Sequence, residues 1–318
     1  MSIILVFGSL LDFTGLTGAG MEQVYKKYLN PRVLTRVSAL ELKARQVVEG
    51  IITGLHKSPY HGISVEFAEH REYVPGDEIK HIDWRVYARS DRFFIKQYEE
   101  ETNMRGYILL DTSESMLYGS KKTSKLEYGS LLAASLSYLL LQQRDSCGLV
   151  TFDSAIRNYL PPRNNPKHFN LILRELELAK NGVKTEIGKV FHDLAERFKK
   201  RGLIIIISDL LCDIEKTLLG LSHFKHKKHE VVVFHVLDRA EITFPFEEMT
   251  LFKGYEEKGD VLAEAWSLKQ GYLENLNKFM AEIKKGCLGK KVDYVPLVTD
   301  EPLELKLSKY LTARTGRH

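Results

Sequence analysis

Between Pro31 and Leu55 apolar residues recur mostly three or four apart, at Val33, Leu34, Val37, Leu40, Leu42, Val47, Val48 and Ile51. That period predicts an amphipathic helix, or two in succession, ending near Gly54. From Ser58 to Glu101 the pattern gives way to charges, aromatics and turn residues. Tyr73-Val74-Pro75-Gly76-Asp77 predicts a tight turn, with Pro pre-set for its second position and Gly free to adopt positive φ. Phe93 to Tyr98 then predicts a strand, so this stretch is expected to be a small β-rich module.

From Gly106 to Leu237 short apolar runs alternate with helical periods. Strands are predicted at Tyr107–Leu110, Cys147–Phe152, Ile156–Leu160, Leu203–Ile207 and Val231–Phe234. Helices are predicted at Leu126–Gln142, Phe169–Leu178 and Ile187–Phe198, and around Leu218–Phe224. Continuous β-branched runs separated by helices predict an α/β fold with a mostly parallel sheet covered on both faces. Beyond Leu237 a short β-like piece (Leu251–Tyr255), a long helix (Trp266–Ile283), a strand (Val292–Val298) and a closing helix (Leu303–Leu311) are expected. The last strand and helix are candidates to extend the same sheet.

Composition changes this picture little. The 318 residues are 44% hydrophobic and 28% charged with a net charge of +4, a soluble and globular balance. That charge is too small and too evenly interspersed to argue for nucleic acid. Cys147, Cys212 and Cys287 are far apart and odd in number, which predicts reduced thiols rather than a disulfide framework. Met1–Leu11 is apolar but lacks the basic start of a secretory signal and the length of a membrane span. Residues 1–20 are therefore expected to be a disordered tail or a misassigned start, and the protein to be cytoplasmic. The expected organisation is 1–20, a helical and β-rich segment at 21–103, and the α/β domain with its C-terminal extension at 104–318.

In open α/β sheets ligands bind at the carboxyl ends of the strands. One strand here runs into Asp111-Thr112-Ser113-Glu114-Ser115, and the Leu203–Ile207 strand ends at Ser208-Asp209. Between them Thr185 precedes a helix. Asp111, Ser113, Ser115, Thr185 and Asp209 together resemble the metal-ion-dependent adhesion site of von Willebrand A domains. Leu210 departs from that pattern, where many such domains carry Gly. The resemblance implies a von Willebrand A-like doubly wound sheet holding Mg²⁺ (or Mn²⁺). It also implies that Asp111 and Asp209 act mostly through water; Ser113 and Ser115 are expected to bind the ion directly, with Thr185 joining when a partner docks. Taken one at a time, Ser113, Ser115 and Thr185 also read as turn or cap residues, and Asp209 as a helix cap.

A second block narrows the family. Val65-Glu66-Phe67, Arg71-Glu72-Tyr73-Val74-Pro75-Gly76-Asp77, Ile82-Asp83-Trp84-Arg85 and Ala88-Arg89 resemble the segment that defines the family called domain of unknown function 58. That resemblance implies a partnership with a MoxR-type AAA+ ATPase, with this chain as an adaptor or chaperone-like partner acting on a client protein. Within the block, Arg71, Asp83, Arg85 and Arg89 are expected to form ion pairs around Trp84.

Other chemistries fit less well. Gly119-Ser120-Lys121-Lys122-Thr123 lacks the spacing of a phosphate-cradling loop, and neither G-x-S-x-G nor H-E-x-x-H occurs. A metal-dependent phosphatase using Asp111 as nucleophile is the enzymatic alternative, but Ser113 stands where such enzymes carry a second Asp. His223, His226 and His229 lie among Lys225, Lys227 and Lys228, and are expected to complement a helix C-terminus rather than bind metal. The expected activity is non-enzymatic, metal-dependent protein binding.

Overall fold

A computed structural model describes residues 31–56, 70–72, 87, 92–96, 104–179, 187–252 and 261–315. Outside them lie residues 1–20, the Tyr73–Asp77 turn, Thr185, the ion-pair candidates Asp83, Arg85 and Arg89, and Trp84 between them. The strands are β1 (His70–Glu72), β2 (Phe94–Lys96), β3 (Arg105–Asp111), β4 (Ser146–Phe152), β5 (Ile156–Arg163), β6 (Leu203–Ser208), β7 (Glu230–Leu237), β8 (Met249–Phe252), β9 (Val261–Glu264) and β10 (Asp293–Val298). The helices are α1 (Pro31–His56), α2 (Lys125–Gln142), α3 (Pro166–Leu178), α4 (Ile187–Arg197), α5 (Ile214–His226), α6 (Arg239–Thr243), α7 (Ala265–Gly289) and α8 (Leu303–Thr315).

Six strands form the central sheet in the order β10-β7-β6-β3-β4-β5. All neighbours pair in parallel except β4 and β5, which are antiparallel. The chain thus begins its sheet in the middle at β3, winds outward through β4 and β5, then returns to lay β6 on the other side. This is the doubly wound, von Willebrand A-like α/β sheet expected from the sequence. The predicted final strand does extend it, as β10 beside β7. Such a reversal opens a crevice at the carboxyl ends of the two strands flanking the switch, here β3 and β6.

Alternation along the strands divides the core into two layers, because successive side chains point to opposite faces. Ile108, Leu110, Ile205, Ile207, Val232 and Phe234 pack with α1, α2, α3 and α8. Tyr107, Leu109, Ile204, Ile206, Val231 and Val233 pack with α4, α5 and α7. The apolar stripe of α1 (Val37, Leu40, Ala44, Val47, Ile51) joins the first layer, and α1 is one continuous helix rather than two. Gly129 brings α2 close to the switch, since a Cβ there would stand 3.1 Å from Leu110 Cδ1 and 3.2 Å from Ile207 Cγ2.

Beyond the sheet, β1 and β2 pair antiparallel, and β8 and β9 form a second ribbon. β9 had no counterpart among the predicted elements, because its four residues carry a glutamate and too little length for a period. Phe252 stacks on Phe244, and Phe244 packs at a tilt against Tyr272, which attaches that ribbon to α6 and α7. All three cysteines are free, with Cys147 and Cys287 buried. Among the described residues, no helix is long and apolar enough to cross a membrane.

Candidate functional site

The switch point gathers four of the five sequence candidates. Asp111 ends β3 and is fully buried, and Ser113 is buried beside it. Asp111 Oδ1 accepts from the Ser113 amide at 2.9 Å, and Oδ2 accepts from the Ser208 hydroxyl at 2.6 Å. Ser208 in turn accepts from the Leu210 amide at 2.9 Å, tying the β3 loop to the β6 loop. Ser113 Oγ and Ser115 Oγ stand 3.1 Å apart. Asp209, also buried, turns its carboxylate to Lys125 Nζ at 2.7 Å and to the Leu211 amide at 3.3 Å.

The capping alternative fails for Ser113. It occupies the N-cap of a short 3₁₀ turn (Glu114–Leu117) yet its side chain makes no capping hydrogen bond. Asp209 is not a helix cap either, since Asp213 caps α5. Leu210 has φ 54°, the left-handed region that L side chains rarely adopt. The residue that departs from the adhesion-site pattern thus keeps the backbone conformation that glycine favours. Its side chain is buried in the second layer, which offsets part of the strain.

The family model described as protein of unknown function DUF58 matches residues 69–270, over half of the chain. The chain belongs to this family. This DUF58 protein is 26% identical over 221 residues to the uncharacterised protein Rv1480 of Mycobacterium tuberculosis, covering 68% of each chain. It is also 26% identical over 109 residues to the uncharacterised protein YeaD of Bacillus subtilis, covering 34% of this chain and 25% of that one. Similar solved structures include BatB from Bacteroides thetaiotaomicron, at 17% identity and TM-score 0.44, covering 67% of this chain and 99% of that chain. The VWA domain of SpRpn10 is 12% identical with TM-score 0.37, covering 64% of this chain and 93% of that one. The fold of the DUF58 chain is assigned from its strand order, not from these likenesses.

Electrostatics decide what this site can hold. Burial, and then the like charge of Asp209, push the Asp111 carboxyl up to about 7, against the hydrogen bonds from Ser208 and Ser113. Lys125, fully buried at the first turn of α2, bridges Asp209 and Glu241 Oε1 at 2.7 and 2.6 Å. Burial opposes its charge, but the two carboxylates outweigh burial and raise its pKa. Glu241 shifts upward through burial despite the ammonium beside it. Fully ionised, three carboxylates against one ammonium leave the cluster with an excess of two negative charges.

A divalent cation would balance that excess. Two oxygens bound side by side to an ion at ~2.1 Å sit about 3 Å apart, the spacing of the two serine hydroxyls. Both carboxylates already accept from protein donors, so they suit contact through water. Among the described residues, no group of three or more His, Cys, Asp and Glu is placed to hold a metal. A cation here would therefore lean on hydroxyl and water oxygens, a set that suits Mg²⁺ or Mn²⁺. The donor chemistry fits the ion that the sequence motif implies.

Lys125, Glu241 and His235 belong to the site although no pattern in the sequence singles them out, and Ser208, which the sequence places at its strand end, joins them. His235 Nε2 hydrogen-bonds the Asp209 carbonyl at 2.8 Å, and Nδ1 meets the Tyr294 hydroxyl at 2.6 Å. Burial lowers its pKa to about 4, so the ring is neutral and Nε2 donates. Next to the site Asp238 accepts from the Ser120 amide and hydroxyl, the Ala240 amide and Thr299, joining three strand-end loops. The loop resembling a phosphate cradle is thus spent on structure. A groove of about 640 Å³ beside it is lined by Lys121, Lys122, Thr123, Thr299 and Asp300.

The histidine cluster divides. His223 and His226 lie in the last turn of α5, as expected of groups complementing the dipole. His229 lies beyond the helix, is buried, and accepts from the Gly202 amide at 3.1 Å. It is a packed core histidine rather than a group that complements the dipole.

Proposed function

We propose that this chain is a non-enzymatic protein-binding module whose docking face is the carboxyl edge of the sheet at the β3/β6 switch. Ser113 and Ser115 would hold Mg²⁺ or Mn²⁺ with Thr185, while Asp111 and Asp209 supply charge. A bound ion would offer an open coordination position to a carboxylate of the partner. The observation that carries this reading is the pair of serine hydroxyls 3.1 Å apart beside two buried carboxylates. Leu117 and Leu211 support it, since each is exposed within two residues of a site residue and adds apolar contact area.

The phosphatase alternative finds less support. Asp111 is fully buried and both its oxygens already accept hydrogen bonds, which leaves a poor nucleophile. The partner we propose is a MoxR-type AAA+ ATPase, on the strength of the DUF58 motifs, with ATP hydrolysis supplied by that partner and directed at a client protein.

Binding of the purified ATPase to immobilised chain tests this, in Mg²⁺ and in EDTA, for wild type and Asp111→Ala. Binding that needs Mg²⁺ and is lost in the variant is the expected result. Equal binding in EDTA would overturn the metal's role, and no binding in Mg²⁺ would overturn the choice of partner.

A further inference from the structure

A lysine buried between two carboxylates at the mouth of a cation site is chemically unusual. Lys125 occupies the first position of α2, where the positive end of the helix dipole opposes an ammonium. Its side chain is nevertheless fully buried, and its two anionic partners come from separate strand-end segments, Asp209 after β6 and Glu241 in α6. Glu241 is itself fixed, because its Oε2 accepts from the Asp238 amide at 2.7 Å in a capping box. The ammonium therefore sits on an anchored counter-ion and reaches across to a carboxylate of the candidate metal site.

Resting on the metal reading above, we propose that Lys125 is a resident cation that competes with the divalent ion for Asp209. By neutralising that carboxylate it keeps metal affinity low in the isolated chain. An incoming cation then gains most of its direct negative charge from a partner's carboxylate. Lys125 is in this sense the residue that makes metal binding depend on the partner. The coupling is reciprocal, so an ion that draws Asp209 toward it weakens the Lys125–Asp209 contact and leaves the ammonium to Glu241.

Two measurements test this. The first is isothermal titration of Mg²⁺ and Mn²⁺ into wild type and into Lys125→Met combined with Glu241→Gln. The double variant removes one positive and one negative charge, leaving the net charge of the cluster unchanged; because Asp209 then keeps only the Leu211 amide as a donor, retention of the fold is checked by circular dichroism before titration. Freed from the ammonium, Asp209 should tighten metal binding by about tenfold or more, as expected for a unit charge removed within the site. Binding only in the double variant would also support the proposal. Binding in the wild type with no gain in the double variant would overturn the lysine's role and leave the metal site standing. No binding in either protein would overturn both.

The second measurement needs no folded variant. The ammonium ¹⁵N signal of Lys125, in wild-type protein labelled at the lysine side-chain nitrogen, should shift on saturation with Mg²⁺. An unmoved signal in protein that demonstrably binds Mg²⁺ would overturn the proposal.

Discussion

Replacing Asp111 with Asn isolates the charge that the fold buries without a cation. The amide oxygen can accept from the Ser113 amide as Oδ1 does, and the amide nitrogen can donate to Ser208 Oγ, which has a free lone pair. Both contacts are kept while the ionisation is lost; the Ser208 hydroxyl proton loses its acceptor, a cost that does not vary with pH. In the metal-free protein the Asp111 carboxyl is raised from an ordinary 3.8 to about 7. A raised carboxyl contributes stability that is complete below the unfolded value and disappears as pH rises through the folded one. At ~1.4 kcal/mol per unit, the wild type should lose about 2–3 kcal/mol relative to the Asn variant between pH 5 and pH 8.

His235 works in the opposite sense, because its lowered pKa of about 4 gives stability that is lost as pH falls. Glu241, raised by burial, works in the same sense as Asp111. Both are shared by the two proteins, so the wild-type-minus-variant difference isolates Asp111. Urea unfolding in EDTA at pH 5, 6, 7 and 8 measures it. Curves for the two proteins that run parallel to within ~0.5 kcal/mol would refute the reasoning. Added Mg²⁺ should then restore stability at pH 8 to the wild type alone, by ~2.7 kcal/mol at a hundredfold excess over its Kd.

Two further perturbations test the loops that frame the site. Leu210→Ala should cost ~2–5 kcal/mol by emptying a buried position. Leu210→Gly should cost no more, because relief of the left-handed backbone, worth ~1–2 kcal/mol, offsets the entropy of glycine. A glycine variant less stable than the alanine variant by ~1 kcal/mol in urea unfolding would refute that reading of φ at Leu210. Ser124→Ala removes the hydroxyl that accepts from the Glu127 amide at 3.1 Å at the start of α2 and should lower stability by ~1 kcal/mol, read from the same titrations. An unchanged midpoint would show the capping box to be energetically silent.

The parts of this molecule that were legible in its sequence are those where one element's own pattern states its burial. Leu203–Ile207 is apolar at every position because both faces of β6 are covered, and that alone places Asp209 at a strand end in the interior of a parallel sheet. Asp111 follows from Tyr107–Leu110 by the same logic, and two strand ends meeting at a switch point are enough to suggest a site. Lys125 follows from no such pattern. It lies next to a capping serine at the start of an apolar helix, where a lysine ordinarily faces water. Its partners are 84 and 116 residues away. Periodicity records which side of an element is dry, whereas a buried ion pair is a relation between elements, and no local period encodes it. The one local trace is that an ammonium at a helix N-terminus opposes the dipole. A lysine at that position, at the start of an Ala/Leu-rich helix and in a chain whose strand ends carry acids, is therefore a reason to look for the carboxylates that hold it there.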